Sequence, residues 1–173
     1  MRPLVQMLAK MGLKPDFISL VGLLMVVPFI YFFSFHPWIA FFFLVLNLFF
    51  DSLDGSLARF LKVESAKGEL TDKAADYLSF SLVFLTFLYF GLLSPLWAAA
   101  HLLNYAVMQS FVTFAQMRKV KIFPIVRPKF VIYFFFLLWI ITGQNYFDPV
   151  LVVLTVYLMI SNLFLFIRIR CSL

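Results

Sequence analysis

The chain has 173 residues, of which 64% are hydrophobic and 13% are charged, and its mean hydropathy is +1.02. A soluble domain is roughly half apolar and about a quarter charged, so this composition excludes an ordinary soluble protein. It predicts one lipid-embedded domain over residues 1–173. The net charge of +6 does not indicate nucleic-acid binding, because the basic residues recur at the ends of predicted helices. The single cysteine, Cys171, excludes an intrachain disulfide.

The apolar segments predict an all-α integral membrane protein with six transmembrane helices. A membrane-crossing helix needs about 20 mostly apolar residues, and turn signals divide the chain into runs of about that length. Before the first run, residues 2–14 alternate basic and apolar side chains, which predicts a short amphipathic helix lying in the membrane interface. The predicted spans are residues 17–34, 38–60, 71–91, 95–117, 128–143 and 149–168.

The basic residues predict the orientation of these spans. Lys and Arg favour the cytosolic side of short loops. When the chain is followed through six crossings, all fourteen Lys and Arg residues fall on the same side of the membrane. We therefore expect a multi-pass protein with both termini on the cytosolic side.

Two pairs of aspartates lie in the second and third predicted spans. Asp51 and Asp54 are three residues apart, and Asp72 and Asp76 are four apart, so each pair shares a helix face. A carboxylate inside a membrane span is costly and is usually functional. Arg59 marks the cytosolic end of the second span, which places Asp51 about 12 Å inside the membrane. Because the link between the spans is short, the helices return antiparallel and the pairs should meet near the cytosolic surface.

Clustered carboxylates in a region of low dielectric need nearby positive charge to stay ionised. One or two divalent cations would supply this charge, and oxygen ligands without His or Cys favour Mg²⁺, Mn²⁺ or Ca²⁺ over zinc. A pair of such ions suits the clamping of a pyrophosphate during displacement at phosphorus. The alternative is a network of salt bridges with Arg59, Lys62 and Lys73, which does not account for the spacing of the aspartates.

The residues around the aspartates resemble the signature of the CDP-alcohol phosphatidyltransferase family. From Asp51 to Asp76 the chain follows the pattern D-x2-D-G-x2-A-R-x8-G-x3-D-x3-D, and all eight fixed positions match. A six-span plan with this motif across the second and third spans also resembles the family. The family's Thr-Pro-Asn stretch followed by Thr is altered here, since the chain reads Lys14-Pro15-Asp16 and continues to Ser19.

This resemblance implies an activity and a set of site residues. The activity is metal-dependent transfer of a phosphatidyl or related phospholipid group from a CDP-activated lipid to an alcohol, with release of CMP, in phospholipid biosynthesis. By similarity, the four aspartates ligate two ions of Mg²⁺ or Mn²⁺, and Asp76 is the candidate general base for the acceptor hydroxyl. A homodimer is also implied. The candidate CDP-binding residues are Gly55, Ala58, Arg59 and Gly68.

The CDP-binding candidates have physical reasons that can be stated from the residue type, and Ala58, one turn beyond Asp54, keeps the same helix face shallow. Gly55 lacks a side chain, which allows a nucleotide to approach the helix backbone closely, and Arg59 can meet phosphate with a bidentate fork. Gly68 is expected to permit the tight turn into the third span.

A basic stretch at the start of the fifth predicted span is a candidate binding site for the acceptor's phosphate. Arg127-Pro128-Lys129 loosely resembles an element of inositol-phosphate-using members, in which basic residues of the last three helices hold the acceptor's phosphate. The resemblance makes Arg127, Lys129 and Arg168 candidates for that role. The same residues also obey the positive-inside rule, so topology alone is the alternative explanation for each. Inositol phosphate and glycerol 3-phosphate both fit such a site.

Two other functions are open to a chain with these features. An intramembrane prenyltransferase also uses aspartate pairs with Mg²⁺, but it lacks the Gly-x2-Ala-Arg continuation. A polytopic cation transporter would place its carboxylates near the membrane midplane between broken helices, whereas these are predicted to be shallow and on one side. Release of CMP from a CDP-lipid would separate the three functions.

Several polar residues outside the motif have simpler structural explanations. Asn47 lies one turn before Asp51 and could bind a ligand or join two helices with a hydrogen bond. His101 and Asn104 are expected to make packing hydrogen bonds in the fourth span. Asp148 is expected to cap the last helix at its N-terminus.

Overall fold

The computed structural model describes residues 2–61, 63, 66–118, 120 and 127–171, and within these residues it contains helices and no β-strand. This confirms the all-α prediction for the described part of the chain. The helices there are α1 (Arg2–Lys10), α2 (Pro15–Leu24), α3 (Val26–Phe32), α4 (Pro37–Leu61), α5 (Ala66–Tyr89), α6 (Pro95–Met117), α7 (Pro128–Thr142) and α8 (Phe147–Arg170).

Each predicted span corresponds to helical structure, but the first is divided into α2 and α3, and α5 begins five residues before the predicted start at residue 71. Among the described residues, three stretches are long and apolar enough to cross a membrane: Pro15–Phe32, Pro37–Leu61 and Phe147–Arg170. Helix α7 is apolar but shorter. Crossing of the membrane by α5, α6 and α7 therefore stays a prediction.

Proline and glycine set several of the helix boundaries. Pro15, Pro95 and Pro128 occupy the first turns of α2, α6 and α7, where a missing N–H costs nothing. Pro28 interrupts the first apolar stretch, because its ring crowds the carbonyl group four residues earlier and the chain turns at Met25. These positions explain why the boundaries could be found in the sequence.

Residues Met1–Val83 form one compact unit, in which α1, α2 and α3 pack against α4. The N-terminal helix buries Val5 in a cluster with Ile18, Leu53 and Leu57. The amphipathic helix predicted here is therefore present, and its apolar side contacts α4, while its position in the membrane interface stays a prediction. It ends at Lys10 rather than at residue 14, because the chain turns at Gly12, which has φ +72°.

Residues Phe84–Leu173 form a second compact unit, in which α6 and α7 pack against α8. Side-chain hydrogen bonds join α6 to α8: the ring nitrogen Nδ1 of His101 bonds to Oγ1 of Thr155 at 3.3 Å. Nδ2 of Asn162 donates to the backbone carbonyl oxygen of Asn104 at 2.9 Å and to its side-chain Oδ1 at 3.4 Å. His101 and Asn104 thus have the packing role that was predicted for them.

The start of α8 is tied to the segment before α6. The backbone N–H of Ser94 donates to Oδ1 of Asp148 at 2.8 Å, and Nδ2 of Asn145 donates to the carbonyl oxygen of Leu92 at 3.0 Å. The capping role predicted for Asp148 is wrong, because Tyr146 is the N-cap and Asp148 lies inside the first turn. Its carboxylate satisfies the backbone of the neighbouring segment instead.

Candidate active site

The four motif aspartates line one cavity in the Met1–Val83 unit. Asp51 and Asp54 come from α4, and Asp72 and Asp76 come from α5. Both pairs have helical spacing, so each presents two carboxyl groups on one face. The cavity is lined by Ser19, Gly22, Leu23, Asn47, Asp51, Asp54, Asp72, Ala75, Asp76 and Ser79.

Asp54 is the most enclosed of the four carboxylates, with 3% of its surface exposed. The hydroxyl of Ser19 on α2 donates a hydrogen bond of 2.6 Å to its Oδ2 atom. The backbone N–H of Gly55 donates to its Oδ1 atom. A buried carboxylate is stable only when such donors replace water, and here each oxygen has one.

Asp72 faces the other three carboxyl groups of the cavity. Its carboxyl group lies within electrostatic range of Asp51, Asp54 and Asp76. Like charges held this close repel one another, and a bound cation would offset that repulsion.

The helix that carries Ser19 approaches α4 closely at Gly22. A Cβ atom on Gly22 would lie 3.1 Å from Cβ of Phe50, which is tighter than an ordinary van der Waals contact. Nδ2 of Asn47 donates a hydrogen bond of 2.8 Å to the carbonyl oxygen of Gly22. Of the two roles open to Asn47 from the sequence, the structure shows the interhelical hydrogen bond.

The cluster has the donor chemistry for hard cations, but not a formed coordination shell. Among the described side chains, no group of three or more His, Cys, Asp or Glu residues is arranged closely enough to hold a metal ion. The four aspartates share a cavity whose lining also includes the hydroxyl groups of Ser19 and Ser79 and the side-chain amide of Asn47. Mg²⁺ and Mn²⁺ prefer such oxygen ligands.

The candidate CDP-binding residues lie beside this cavity rather than in its lining. Ala58 is half-buried, and Arg59 is exposed at the end of α4. The guanidinium of Arg59 folds back over Gly55, where a Cβ atom would lie 3.8 Å from Nη1, and Nη2 donates to Oγ of Ser56 at 3.4 Å. The expectation that Gly68 forms the turn into the third span is wrong, because α5 already begins at Ala66.

The three acceptor-phosphate candidates belong to the Phe84–Leu173 unit. Arg127 is exposed immediately before α7, and Arg168 is exposed in the last turn of α8. Lys129 is only 1% exposed, with Nζ 5.8 Å from the centre of the Phe130 ring. Two further residues of the basic stretch, Lys119 and Lys121, lie outside the described residues, as does Lys62.

Comparison with known proteins decides the family. The chain matches the profile of the CDP-alcohol phosphatidyltransferases over residues 13–167. The chain belongs to the CDP-alcohol phosphatidyltransferase family. It is therefore a membrane-embedded transferase of phospholipid biosynthesis, and members of this family in general use divalent metals. This membership favours the transferase over the prenyltransferase and the transporter.

Two solved structures share the fold. The phosphatidylinositol phosphate synthase PgsA1 of Mycobacterium tuberculosis in its apo form has a TM-score of 0.78 and 17% identity, covering 97% of this chain and 95% of that chain. The same synthase with CDP-DAG bound has a TM-score of 0.64 and 20% identity, covering 96% of this chain and 87% of that chain. At these identities the similarity establishes the fold. Among curated proteins, no sequence matches the chain significantly.

The sequence marked Lys14-Pro15-Asp16 and Ser19 only as an altered form of a family stretch, and it did not predict that α2 lies against the aspartates. Ser19, Gly22 and Leu23 line the cavity from that helix, and Ser79 lines it from α5. Ser79 could have been found, because it lies three residues after Asp76 and so on the same helix face. Ser19 gave a weaker signal, as a polar residue in an apolar segment, and its partner Asp54 is 35 residues away.

Proposed function

We propose that this enzyme transfers a phosphatidyl or related phospholipid group from a CDP-activated lipid to an alcohol acceptor and releases CMP. The observation that carries the proposal is the convergence of Asp51, Asp54, Asp72 and Asp76 on one cavity in a chain of this family. The similar synthase of M. tuberculosis with CDP-DAG bound supports a CDP-lipid as the donor.

The reaction is a displacement at the phosphorus atom that carries the lipid. The acceptor's hydroxyl oxygen forms a bond to this phosphorus, the bond to the bridging oxygen of the pyrophosphate breaks, and CMP leaves with the electron pair. The acceptor's proton passes to a carboxylate, and Asp76, at the cavity wall, is our candidate for that base. Holding both reactants in line supplies much of the rate enhancement.

We assign Asp51, Asp54, Asp72 and Asp76 as ligands of two divalent cations, Mg²⁺ or Mn²⁺. Support comes from the donor set, which consists of hard oxygen atoms, and from the placement of all four carboxyl groups around one cavity. When bound, such ions neutralise charge on the pyrophosphate oxygens.

We assign the CDP moiety to the surface formed by Gly55, Ala58 and Arg59, with Gly68 contributing from α5. Arg59 is exposed and already lies over Gly55, so its guanidinium can meet a diphosphate with two parallel hydrogen bonds. Because Gly55 has no side chain, the Arg59 guanidinium lies close to the helix backbone there, and a diphosphate bound by Arg59 can approach it too.

We assign the acceptor's phosphate to Arg127, Lys129 and Arg168, which makes inositol phosphate or glycerol 3-phosphate the candidate acceptor. The burial of Lys129 supports this assignment, since a positive-inside signal needs no buried ammonium group.

We further propose that the chain is one functional domain that crosses the membrane six times and acts as a homodimer. The distribution of all fourteen Lys and Arg residues on one side supports cytosolic termini and a cytosolic opening of the active site. Lipid tails would enter from the bilayer, and the nucleotide and acceptor from the cytosol.

The test is CMP release by the purified protein supplied with CDP-diacylglycerol, Mn²⁺ and a panel of acceptors: inositol phosphate, glycerol 3-phosphate, serine and inositol. We expect release that requires a phosphate-bearing acceptor, stops in EDTA and returns with Mg²⁺ or Mn²⁺. Lys129→Met should raise KM for that acceptor and leave KM for the CDP-lipid unchanged. Turnover at the full rate in chelator would refute the metal assignment, and absence of CMP release with every acceptor would refute the proposed function.

A further inference from the structure

The hydroxyl of Ser19 crosses from α2 to the most buried carboxylate of the cluster. We propose that Ser19 is a positioning residue, which holds Asp54 in the orientation that binds a divalent cation. The inference rests on the proposed function only in taking Asp54 as a metal ligand. Ser19 does not itself contact the cation in this proposal; it acts through the carboxylate.

The single proton of the Ser19 hydroxyl has two possible acceptors. Oδ2 of Asp54 lies 2.6 Å from Oγ, and the carbonyl oxygen of Pro15 lies 3.3 Å from it. The shorter contact is to a carboxylate, and charge-assisted hydrogen bonds are about twice as strong as neutral ones. The proton therefore belongs to the bond with Asp54, and the hydroxyl does not serve mainly as a local link within α2.

This bond fixes the plane of the Asp54 carboxylate. Oδ2 accepts from Ser19, and Oδ1 accepts from the backbone N–H of Gly55. A carboxylate offers about four lone-pair sites, so two remain after these bonds. Because Asp54 lines the cavity together with Asp51 and Asp72, the remaining sites are available to a cation shared with them.

The reach of Ser19 depends on how closely α2 lies against α4. Gly22 is one turn after Ser19, and Asn47 is two turns before Asp54, so the Asn47–Gly22 hydrogen bond joins the same two helix faces as the Ser19–Asp54 bond. The close approach at Gly22 keeps the hydroxyl within range. The two hydrogen bonds hold one side of the cation site rigid before any ion arrives.

Removing a group that orients a metal ligand lowers the metal affinity about 10- to 100-fold. Ser19→Ala removes the hydroxyl, and we expect a loss of Mn²⁺ affinity of about that size. Ser19→Thr and Ser19→Val form a matched pair, because the two side chains have nearly the same shape and differ in the hydroxyl. Ser19→Thr should bind Mn²⁺ as the wild type does, and Ser19→Val should bind it as weakly as Ser19→Ala.

The experiment is a Mn²⁺ titration of purified full-length protein in a neutral detergent, with the free ion measured from its EPR signal. No substrate is present, so the readout is independent of turnover. Asp72→Asn defines the background from other sites. Ser110→Ala is the control for loss of a helix hydroxyl, because Ser110 is exposed and its Oγ donates to the carbonyl oxygen of Ala106 at 3.0 Å. This control should leave the titration unchanged.

The outcomes separate this inference from the proposed function and from a purely structural role. If Ser19→Val and Ser19→Thr bind Mn²⁺ equally, the positioning role is wrong, whether or not CMP is released. If Ser19→Ala lowers the melting temperature but keeps the wild-type Mn²⁺ affinity, Ser19 is only a packing residue and the inference is also wrong. If Mn²⁺ affinity depends on the hydroxyl while the wild type releases no CMP, the positioning role of Ser19 is supported and the proposed reaction is wrong.

Discussion

The side chain of Asn47 on α4 donates a hydrogen bond of 2.8 Å from Nδ2 to the carbonyl oxygen of Gly22 on α2. This bond and the close contact of Gly22 with Phe50 bring α2 to the wall of the aspartate cavity. The position of α2 is therefore decided by a polar group on one helix and the lack of a side chain on the other.

Asn47→Leu should destabilise the protein by about 0.5–1.5 kcal/mol, because it removes one interhelical hydrogen bond inside the unit. The free energy of unfolding can be measured by titration of the detergent-solubilised protein with SDS. Gln6→Leu is the control, since Gln6 is an exposed amide on α1 and its loss should change the unfolding free energy little. Equal unfolding curves for wild type and Asn47→Leu would show that the bond does not stabilise the helix pair.

Two glycine substitutions should have opposite effects on stability. Gly22→Ala places a Cβ atom 3.1 Å from Cβ of Phe50, and overpacking of this kind costs about 1–3 kcal/mol. Gly55→Ala meets only the far end of the Arg59 side chain, at 3.8 Å, and should gain up to about 1 kcal/mol from helix propensity. Melting temperatures of both variants test this difference.

The same pair of variants separates stability from nucleotide binding. Because we assign Gly55 to the CDP surface, Gly55→Ala should bind CDP-diacylglycerol more weakly although it is folded at least as stably as the wild type. A Gly55→Ala variant that keeps the wild-type KM for the CDP-lipid would remove Gly55 from the proposed binding surface.

Asp72→Asn should raise stability and remove activity at once. The Asp72 carboxyl group is repelled by Asp51, Asp54 and Asp76, so its replacement relieves repulsion in the metal-free protein. The melting temperature in EDTA should therefore exceed that of the wild type. Metal-ion catalysis is worth several kcal/mol, so CMP release should fall by about a thousandfold.

Asp72→Asn should also lose most of the rise in melting temperature that Mn²⁺ gives the wild type, because a ligand that binds the folded state stabilises it. Asp16→Asn is the matched control, as Asp16 is exposed in the first turn of α2 and lies outside the cavity lining. A lower melting temperature of Asp72→Asn in EDTA would show that the carboxylates do not repel one another in the free enzyme.

Asp148→Ala should destabilise the Phe84–Leu173 unit by about 1–3 kcal/mol, because the backbone N–H of Ser94 loses its charged acceptor. Asp148→Asn keeps an oxygen at that place and should recover part of this loss. Unfolding in SDS measures both variants. If Asp148→Ala and Asp148→Asn unfold alike, the Asp148–Ser94 bond does not account for the stability of this region.

The sequence by itself determined the helices and the residue types of the site. Pro128 and Gly143 bound α7 because proline suits a first helical turn and Gly143 adopts φ +69°, a conformation that glycine tolerates best. The spacing of Asp51 and Asp54, and of Asp72 and Asp76, placed each pair on one helix face. These are local properties of the chain, and a periodic pattern reports them directly.

Only the tertiary structure decided which faces meet and how closely. The burial of Val5 against α4, the hydrogen bond from Ser19 to Asp54 and the interhelical role of Asn47 all depend on contacts between residues far apart in the chain. Gly68 could not be distinguished from a turn residue until the start of α5 was known. Helix approach depends on the volume and shape of opposing side chains, such as Gly22 and Phe50, and a linear pattern does not carry that information.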